Sequence, residues 1–186
     1  MRIISGKARG TKLYTLDGEN TRPTLDRVKE PLFNILNFKL NDSVVLDLFA
    51  GSGALGLESI SRGARKAVFG ECNPSAVRII QKNIEKTKFE DKSFIIRGEF
   101  EKVLKTLNDT DIKFDIVFLD PPYKTDLVYK ALNYILNIEL LNENSVIVIE
   151  TDDIERIKKD IEKLGLIIDD TRKYGRVHLV FINIKQ

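Results

Sequence analysis

The chain has 186 residues, and its 30 Lys and Arg against 28 Asp and Glu leave a net charge of +2. That length fits one well-buried α/β domain and is short for two, and the near balance of charge gives only weak support to a polyanionic partner, whose recognition must rest on where the charges sit. A single cysteine, Cys72, excludes an intrachain disulfide, no apolar run approaches the ~20 residues needed to span a bilayer, and Met1–Gly6 lacks the apolar region of a signal peptide, so a reducing cytoplasm is the expected setting.

The first twelve residues carry Arg2, Lys7, Arg9 and Lys12 with no acid among them. Short β-like stretches around Ser5-Gly6 and Arg9-Gly10 predict a basic hairpin over Arg2 to Leu13. Arg22, Arg27 and Lys29 follow, diluted by Asp26 and Glu30. Leu25 to Leu40 has helical spacing, with Pro31 expected in a first turn or at a kink. Residues 1–40 therefore read as an N-terminal extension packed on a core of residues 41–186.

From residue 43 the chain alternates strand-like and helix-like segments. Strands are expected at Val44–Phe49, Lys66–Glu71, Ser93–Arg97, Phe114–Leu119 and Val146–Glu150. Helices are expected at Ala54–Arg62, Pro74–Lys86, Glu99–Leu107, Asp126–Leu136 and Asp153–Leu164, with Pro74 suited to a first turn. Leu166–Ile168 and Val177–Ile184 close the pattern as an antiparallel pair. Such alternation predicts a mostly parallel seven-stranded sheet with helices on both faces, and right-handed crossovers gather the ligand-binding loops at the strand carboxyl ends.

Gly51-x-Gly53-x-x-Gly56 follows the first strand, and Glu71 lies about 20 residues beyond the first glycine, at the end of the second strand. Glycines there allow a tight turn and let backbone amides approach a ligand, while a carboxylate at that distance can accept hydrogen bonds from ribose hydroxyls. Nicotinamide, flavin and S-adenosylmethionine sites share this geometry, and the glycines also suit a plain strand–helix turn. Asp47 separates the ligands. A carboxylate just before the turn repels a pyrophosphate but can hold the ammonium of S-adenosylmethionine. After the third strand, Glu99 can accept from an adenine amino group and Phe100 can pack against the ring. The same two residues also read as a helix N-terminal acid and a core aromatic.

Asp120-Pro121-Pro122-Tyr123 follows the fourth strand. Adjacent prolines restrict the backbone and present carbonyls without competing amides. Asp120 and the Pro121 carbonyl can each accept one hydrogen of an exocyclic NH2, and Tyr123 can stack on its base. A nucleobase amine is a poor nucleophile because its lone pair is delocalised into the ring. Holding both hydrogens lets the nitrogen pyramidalise toward a methyl donor, and acceleration then comes from alignment and electrostatics.

With these motifs in place, the chain resembles the bacterial 16S ribosomal RNA guanine-N2 methyltransferases over nearly its whole length. The resemblance is carried by Arg2-Ile3-Ile4-Ser5-Gly6, Arg9-Gly10-x-Lys12-Leu13, Arg22-Pro23-Thr24-x-Asp26-Arg27-Val28-Lys29-Glu30, Leu46 through Glu58, Ser61-Arg62-Gly63-Ala64, Glu71 and Asp120 to Tyr123. It implies a Rossmann-like class I methyltransferase fold, with S-adenosylmethionine at Asp47, Phe49, Gly51, Gly53 and Glu71. It further implies guanine at Asp120, Pro121 and Tyr123, no metal, a monomeric enzyme, and 16S rRNA in the small ribosomal subunit or an assembly intermediate as substrate. Arg2, Lys7, Arg9, Lys12, Arg22 and Arg27 are then expected to bind phosphates. His178 reads as structural and Cys72 as a packing residue.

Three other readings stay open on the residues alone. A DNA amino methyltransferase uses the same acid-Pro-Pro-aromatic turn, but such an enzyme needs base-recognising surface and no substantial insertion is present. A nicotinamide-dependent oxidoreductase rests only on the glycine spacing. A non-catalytic RNA-binding assembly factor would keep the fold without the reaction.

Overall fold

A computed structural model describes residues 1–16, 23–122 and 126–184, with residues 23–27 described by their backbone alone. The elements in chain order are α1 (Pro23–Leu40), β1 (Val44–Asp47), α2 (Ala54–Ser61), β2 (Lys66–Glu71), α3 (Pro74–Thr87), β3 (Ser93–Arg97), α4 (Phe100–Asn108), β4 (Phe114–Leu119), α5 (Leu127–Asn137), β5 (Leu141–Thr151), α6 (Ile154–Lys163), β6 (Asp170–Tyr174) and β7 (Val177–Asn183). A short 3-10 turn at Glu90–Lys92 precedes β3.

The strands form one seven-stranded sheet in the order β3-β2-β1-β4-β5-β7-β6. The pairs β1–β2, β1–β4, β2–β3 and β4–β5 are parallel, and β5–β7 and β6–β7 are antiparallel. This is the mostly parallel sheet expected from the sequence. Its strands are apolar on both sides because both faces are covered. Val45, Phe69, Phe118 and Val148 turn to the face packed by α1, α2 and α3. Leu46, Val68, Val117 and Ile147 turn to the face packed by α4, α5 and α6.

Two expectations change. The last antiparallel pair uses Asp170–Tyr174, not Leu166–Ile168; Leu166 and Ile168 pack against the core while Ile167 is 78% exposed. The N-terminal segment folds back on itself, with an antiparallel bridge between Arg2 and Lys12 flanked by the Ile3 amide donating to the Thr11 carbonyl at 2.9 Å and the Leu13 amide to the Met1 carbonyl at 3.0 Å. Pro31 lies inside α1, which begins at Pro23, so the first-turn placement is excluded and the proline simply lacks one intrahelical amide. No helix among the described residues is long and apolar enough to cross a membrane.

Glu58 fixes how residues 1–16 sit on the sheet. This fully buried carboxylate of α2 accepts the amides of Ile4 at 2.8 Å and Ser5 at 3.0 Å. It also takes Arg62 Nε at 2.7 Å and lies 3.3 Å from Lys29 Nζ, on α1. Lys29 is 1% exposed and donates onward to the Arg2 carbonyl. One carboxylate thus ties α1, α2 and the N-terminal segment together. A buried charge of this kind is tolerable only because its oxygens are met by two cations and two amides.

Candidate active site

The glycine turn joins β1 to α2 directly. Gly51 (φ +53°) and Gly53 (φ +77°) sit in the left-handed region, which a residue with a Cβ enters at a cost. Gly56 serves another purpose: a Cβ there would stand 2.3 Å from the Phe69 ring, so its absence lets α2 lie against β2. Asp47 ends β1 at 3% exposure, and its Oδ2 accepts the Gly56 amide at 3.0 Å. Burial raises the Asp47 pKa from 3.8 to about 7, the Gly56 hydrogen bond opposing and the Glu71 charge assisting.

Glu71, at the end of β2, also works on the turn. Its Oε2 accepts the Gly51 amide and its Oε1 the Asn73 amide, each at 2.8 Å. A carboxylate has about four acceptor positions, so both oxygens keep capacity for a hydroxyl pair. Cys72 next to it is exposed and so is not the packing residue the sequence suggested, and its thiol is raised above 9.0 by desolvation and by the carboxylates of Glu71 and Glu99. It is held protonated, which suits no nucleophilic role.

The third-strand turn is tied to the same corner, since the Gly98 amide donates to the Glu71 carbonyl at 3.0 Å. Glu99 occupies the N-cap of α4 with no side-chain capping bond and is exposed. Phe100 is 4% exposed, so it is mainly a core ring. Its neighbour Phe49, with ring centroids 6.2 Å apart and planes at 45°, is the half-exposed member of the pair.

The Asp-Pro-Pro turn leaves the sheet beside the glycine turn. β1 and β4 are adjacent with Asp47 opposite Phe118, and the Leu48 amide donates to the Phe118 carbonyl at 3.2 Å. Neighbouring strands lie about 4.8 Å apart, so Asp120, two residues past Phe118, emerges at the same sheet edge as Gly51. Asp120 is half-buried, Pro121 buried and Pro122 exposed. Tyr123 lies outside the described residues.

Of the expected phosphate-binding residues, Arg2, Lys7, Arg9 and Lys12 are all exposed on the N-terminal loop. Arg22 lies outside the described residues, as does the side chain of Arg27. The loop is anchored on α2. The Lys7 amide donates to the Ser61 carbonyl at 2.8 Å, and Ser61 Oγ bridges the Ser5 carbonyl and the Ala8 amide at 2.6 and 3.0 Å. Its exit is anchored by Asn83 of α3, which is fully buried and bonds both Tyr14 and the Ser52 carbonyl. His178 pairs with Thr151 and Lys173 across the antiparallel end of the sheet.

Glu58 and Asn83 organise this corner and were not singled out from the sequence. The signal was present as a polar residue on an apolar stripe: Glu58 stands between Leu57 and Ile60, and Asn83 between Ile80 and Ile84. A cavity of about 480 Å³ lies elsewhere, lined by Val44, Lys66, Asp111 and Asn142 at the strand amino ends. It touches neither motif turn, and ligands of open parallel sheets bind at the opposite edge.

The chain is similar to known proteins in sequence and in fold. The family model described as conserved hypothetical protein 95 matches residues 1–183. A Haemophilus influenzae protein named ribosomal RNA small subunit methyltransferase D is 39% identical over 154 residues, covering 82% of this chain and 79% of its own. Its Escherichia coli namesake is 35% identical over 152 residues, covering 82% and 75%. A solved Escherichia coli structure, provisionally assigned as a methyltransferase, superposes with a TM-score of 0.82 at 29% identity, covering 100% of this chain and 98% of the other.

Proposed function

The chain belongs to the conserved hypothetical protein 95 family, and from that membership we propose that it transfers a methyl group from S-adenosylmethionine to the exocyclic N2 of a guanine in 16S rRNA. The observation that carries the reading is the adjacency of two turns, one built to order backbone amides around a carboxylate pair, the other an acid followed by two prolines. The relatives named for small-subunit rRNA methylation support the substrate class, and the fold is that of the Rossmann-like class I methyltransferases.

The residues at the glycine turn fit this cofactor better than a dinucleotide. Asp47 and Glu71 bring two carboxylates to a turn whose own residues, 47–56, all described, include no Lys or Arg for a pyrophosphate. An ammonium suits the first and ribose hydroxyls the second, with Phe49 beside the adenine and Glu99 near its amino group. When bound, S-adenosylmethionine supplies an electrophilic sulfonium methyl. The chain's own part is positioning: Asp120 and the Pro121 carbonyl each accept a hydrogen of the guanine N2, Tyr123 stacks on the ring, and the partly buried turn excludes water. Arg2, Lys7, Arg9, Lys12, Arg22 and Arg27 hold RNA phosphates on the N-terminal extension, residues 1–40, and the core of residues 41–186 does the chemistry. The enzyme acts as a monomer on the small subunit or its assembly intermediate, which places it in the cytoplasm.

The test is transfer of label from S-adenosylmethionine to unmodified small subunits, naked 16S RNA and duplex DNA in parallel, followed by nucleoside mass spectrometry. N2-methylguanosine from the ribosomal samples is expected. Label confined to DNA overturns the reading in favour of an amino methyltransferase of DNA, and cofactor binding without label in any sample overturns it in favour of a non-catalytic role.

A further inference from the structure

We propose that Arg78, Lys82 and Lys86 of α3, together with Tyr14, form a second RNA-contacting track that runs from the glycine turn along the outside of α3 and takes the sugar-phosphate backbone and one base of the substrate. The proposal rests on the RNA-methylating function above and extends its substrate surface beyond the N-terminal basic residues.

The three cations are four residues apart in sequence, so they rise in steps of about 6 Å along one side of the helix. All three are exposed. The core face of α3 is made by other residues, Ala76, Ile80, Asn83, Ile84 and Thr87, so packing does not require the cations. Among the described residues none of the three takes part in an ion pair. Glu85, the acid within the row, is bonded instead by Gln81 at 3.2 Å. A row of unneutralised charge at helix spacing is what a polyanion selects.

Tyr14 turns the row into a nucleic-acid surface. It is 48% exposed, and Lys86 Nζ lies 4.3 Å from its ring centroid. A cation over an aromatic ring holds it as a plane for base stacking, the pairing used by single-strand binders. The Tyr14 backbone is fixed by Asn83, whose Nδ2 also holds the Ser52 carbonyl at 2.9 Å in the glycine turn. The track therefore starts beside the methyl donor's turn. It also continues the N-terminal surface, because Tyr14 follows Lys12, itself bridged to Arg2. An acidic protein partner would be satisfied by the cations alone; the aromatic plane among them favours RNA.

The test compares a triple variant, Arg78→Gln with Lys82→Gln and Lys86→Gln, against a charge-matched triple on α6, Lys158→Gln with Lys159→Gln and Lys163→Gln. Binding to small subunits and to naked 16S RNA is measured across salt, and S-adenosylmethionine affinity by calorimetry. The α3 triple should flatten the slope of log K against log salt by about 2, at about 0.7 per phosphate contact, with cofactor affinity unchanged. The α6 triple should keep the wild-type slope. Tyr14→Leu should weaken binding about fivefold or more without changing the slope, and Tyr14→Phe should retain it. A wild-type slope in the α3 triple, or an equal loss in the α6 triple, overturns the track. Methyl transfer by the wild-type protein in the same samples keeps the two claims separate: transfer with an unshifted slope removes the track alone, and a shifted slope without any transfer removes the proposed reaction alone.

Discussion

Tyr14 and Asn83 bond to each other in both directions, the Tyr14 amide donating to Asn83 Oδ1 at 2.7 Å and Asn83 Nδ2 donating to the Tyr14 carbonyl at 3.0 Å. The second hydrogen of the same amide group goes to the Ser52 carbonyl, so one buried side chain fixes the exit of the N-terminal loop against the glycine turn. Asn83→Ala leaves three backbone groups without this partner. It should cost about 2–4 kcal/mol by urea unfolding, and S-adenosylmethionine affinity should fall with it. Unchanged stability and affinity would remove Asn83 from the site.

Gly6 and Gly10 separate close approach from backbone conformation. Both have positive φ, +82° and +84°, yet a Cβ on Gly6 would stand 1.8 Å from the Ser61 carbonyl oxygen, whereas one on Gly10 meets nothing within 4 Å. Gly10→Ala should cost only the left-handed strain, about 1 kcal/mol. Gly6→Ala should cost about 3 kcal/mol, because the loop must lift from α2. Limited proteolysis should cut the Gly6→Ala loop at its exposed Lys7 and Arg9 while S-adenosylmethionine still binds. Equal stability of the two variants would mean that the loop is not docked through Ser61.

The sequence announced the two turns because each is contiguous and depends on local backbone chemistry. Gly51, Gly53 and Asp120-Pro121-Pro122 are where a short reading places them, at the carboxyl ends of β1 and β4. What escaped it depends on partners far along the chain. Glu58 reads as an ordinary helix glutamate until Ile4, Lys29 and Arg62 are found around it. For Phe100 the sequence leaves an adenine platform and a core aromatic side by side, and its 4% exposure against Phe49 favours the second. Leu166–Ile168 is the more apolar run and so draws the strand reading, whereas β6 is a polar edge strand, carrying an Arg172–Asp170 pair at 2.8 Å. Edge strands gain from such charge, which discourages pairing with another chain.

Asp47 gives the site a pH dependence. Its folded pKa, about 7, lies above the ordinary 3.8 because of burial. The folded state therefore holds the proton more tightly than the unfolded chain, and stability falls as pH rises from about 4 to about 7, by at most about 1.4 kcal/mol per pH unit. A cationic ligand prefers the ionised form, so S-adenosylmethionine affinity should rise over the approach to pH 7 and level off above it. Asp47→Asn retains an acceptor for the Gly56 amide and should flatten both profiles. A wild-type affinity that is flat from pH 5 to 8 would show that the carboxylate does not sense the ligand.

The measurement closest to the central claim is single-turnover methyl transfer by wild type and Asp120→Ala on unmodified small subunits, with the product nucleoside identified and cofactor and RNA binding measured beside it. The wild-type protein should yield N2-methylguanosine. The variant should bind both ligands as before and transfer about 100-fold more slowly or worse. Transfer by Asp120→Ala at the wild-type rate, or a wild-type product methylated at another atom, would contradict the assignment of the Asp-Pro-Pro turn to the guanine amine.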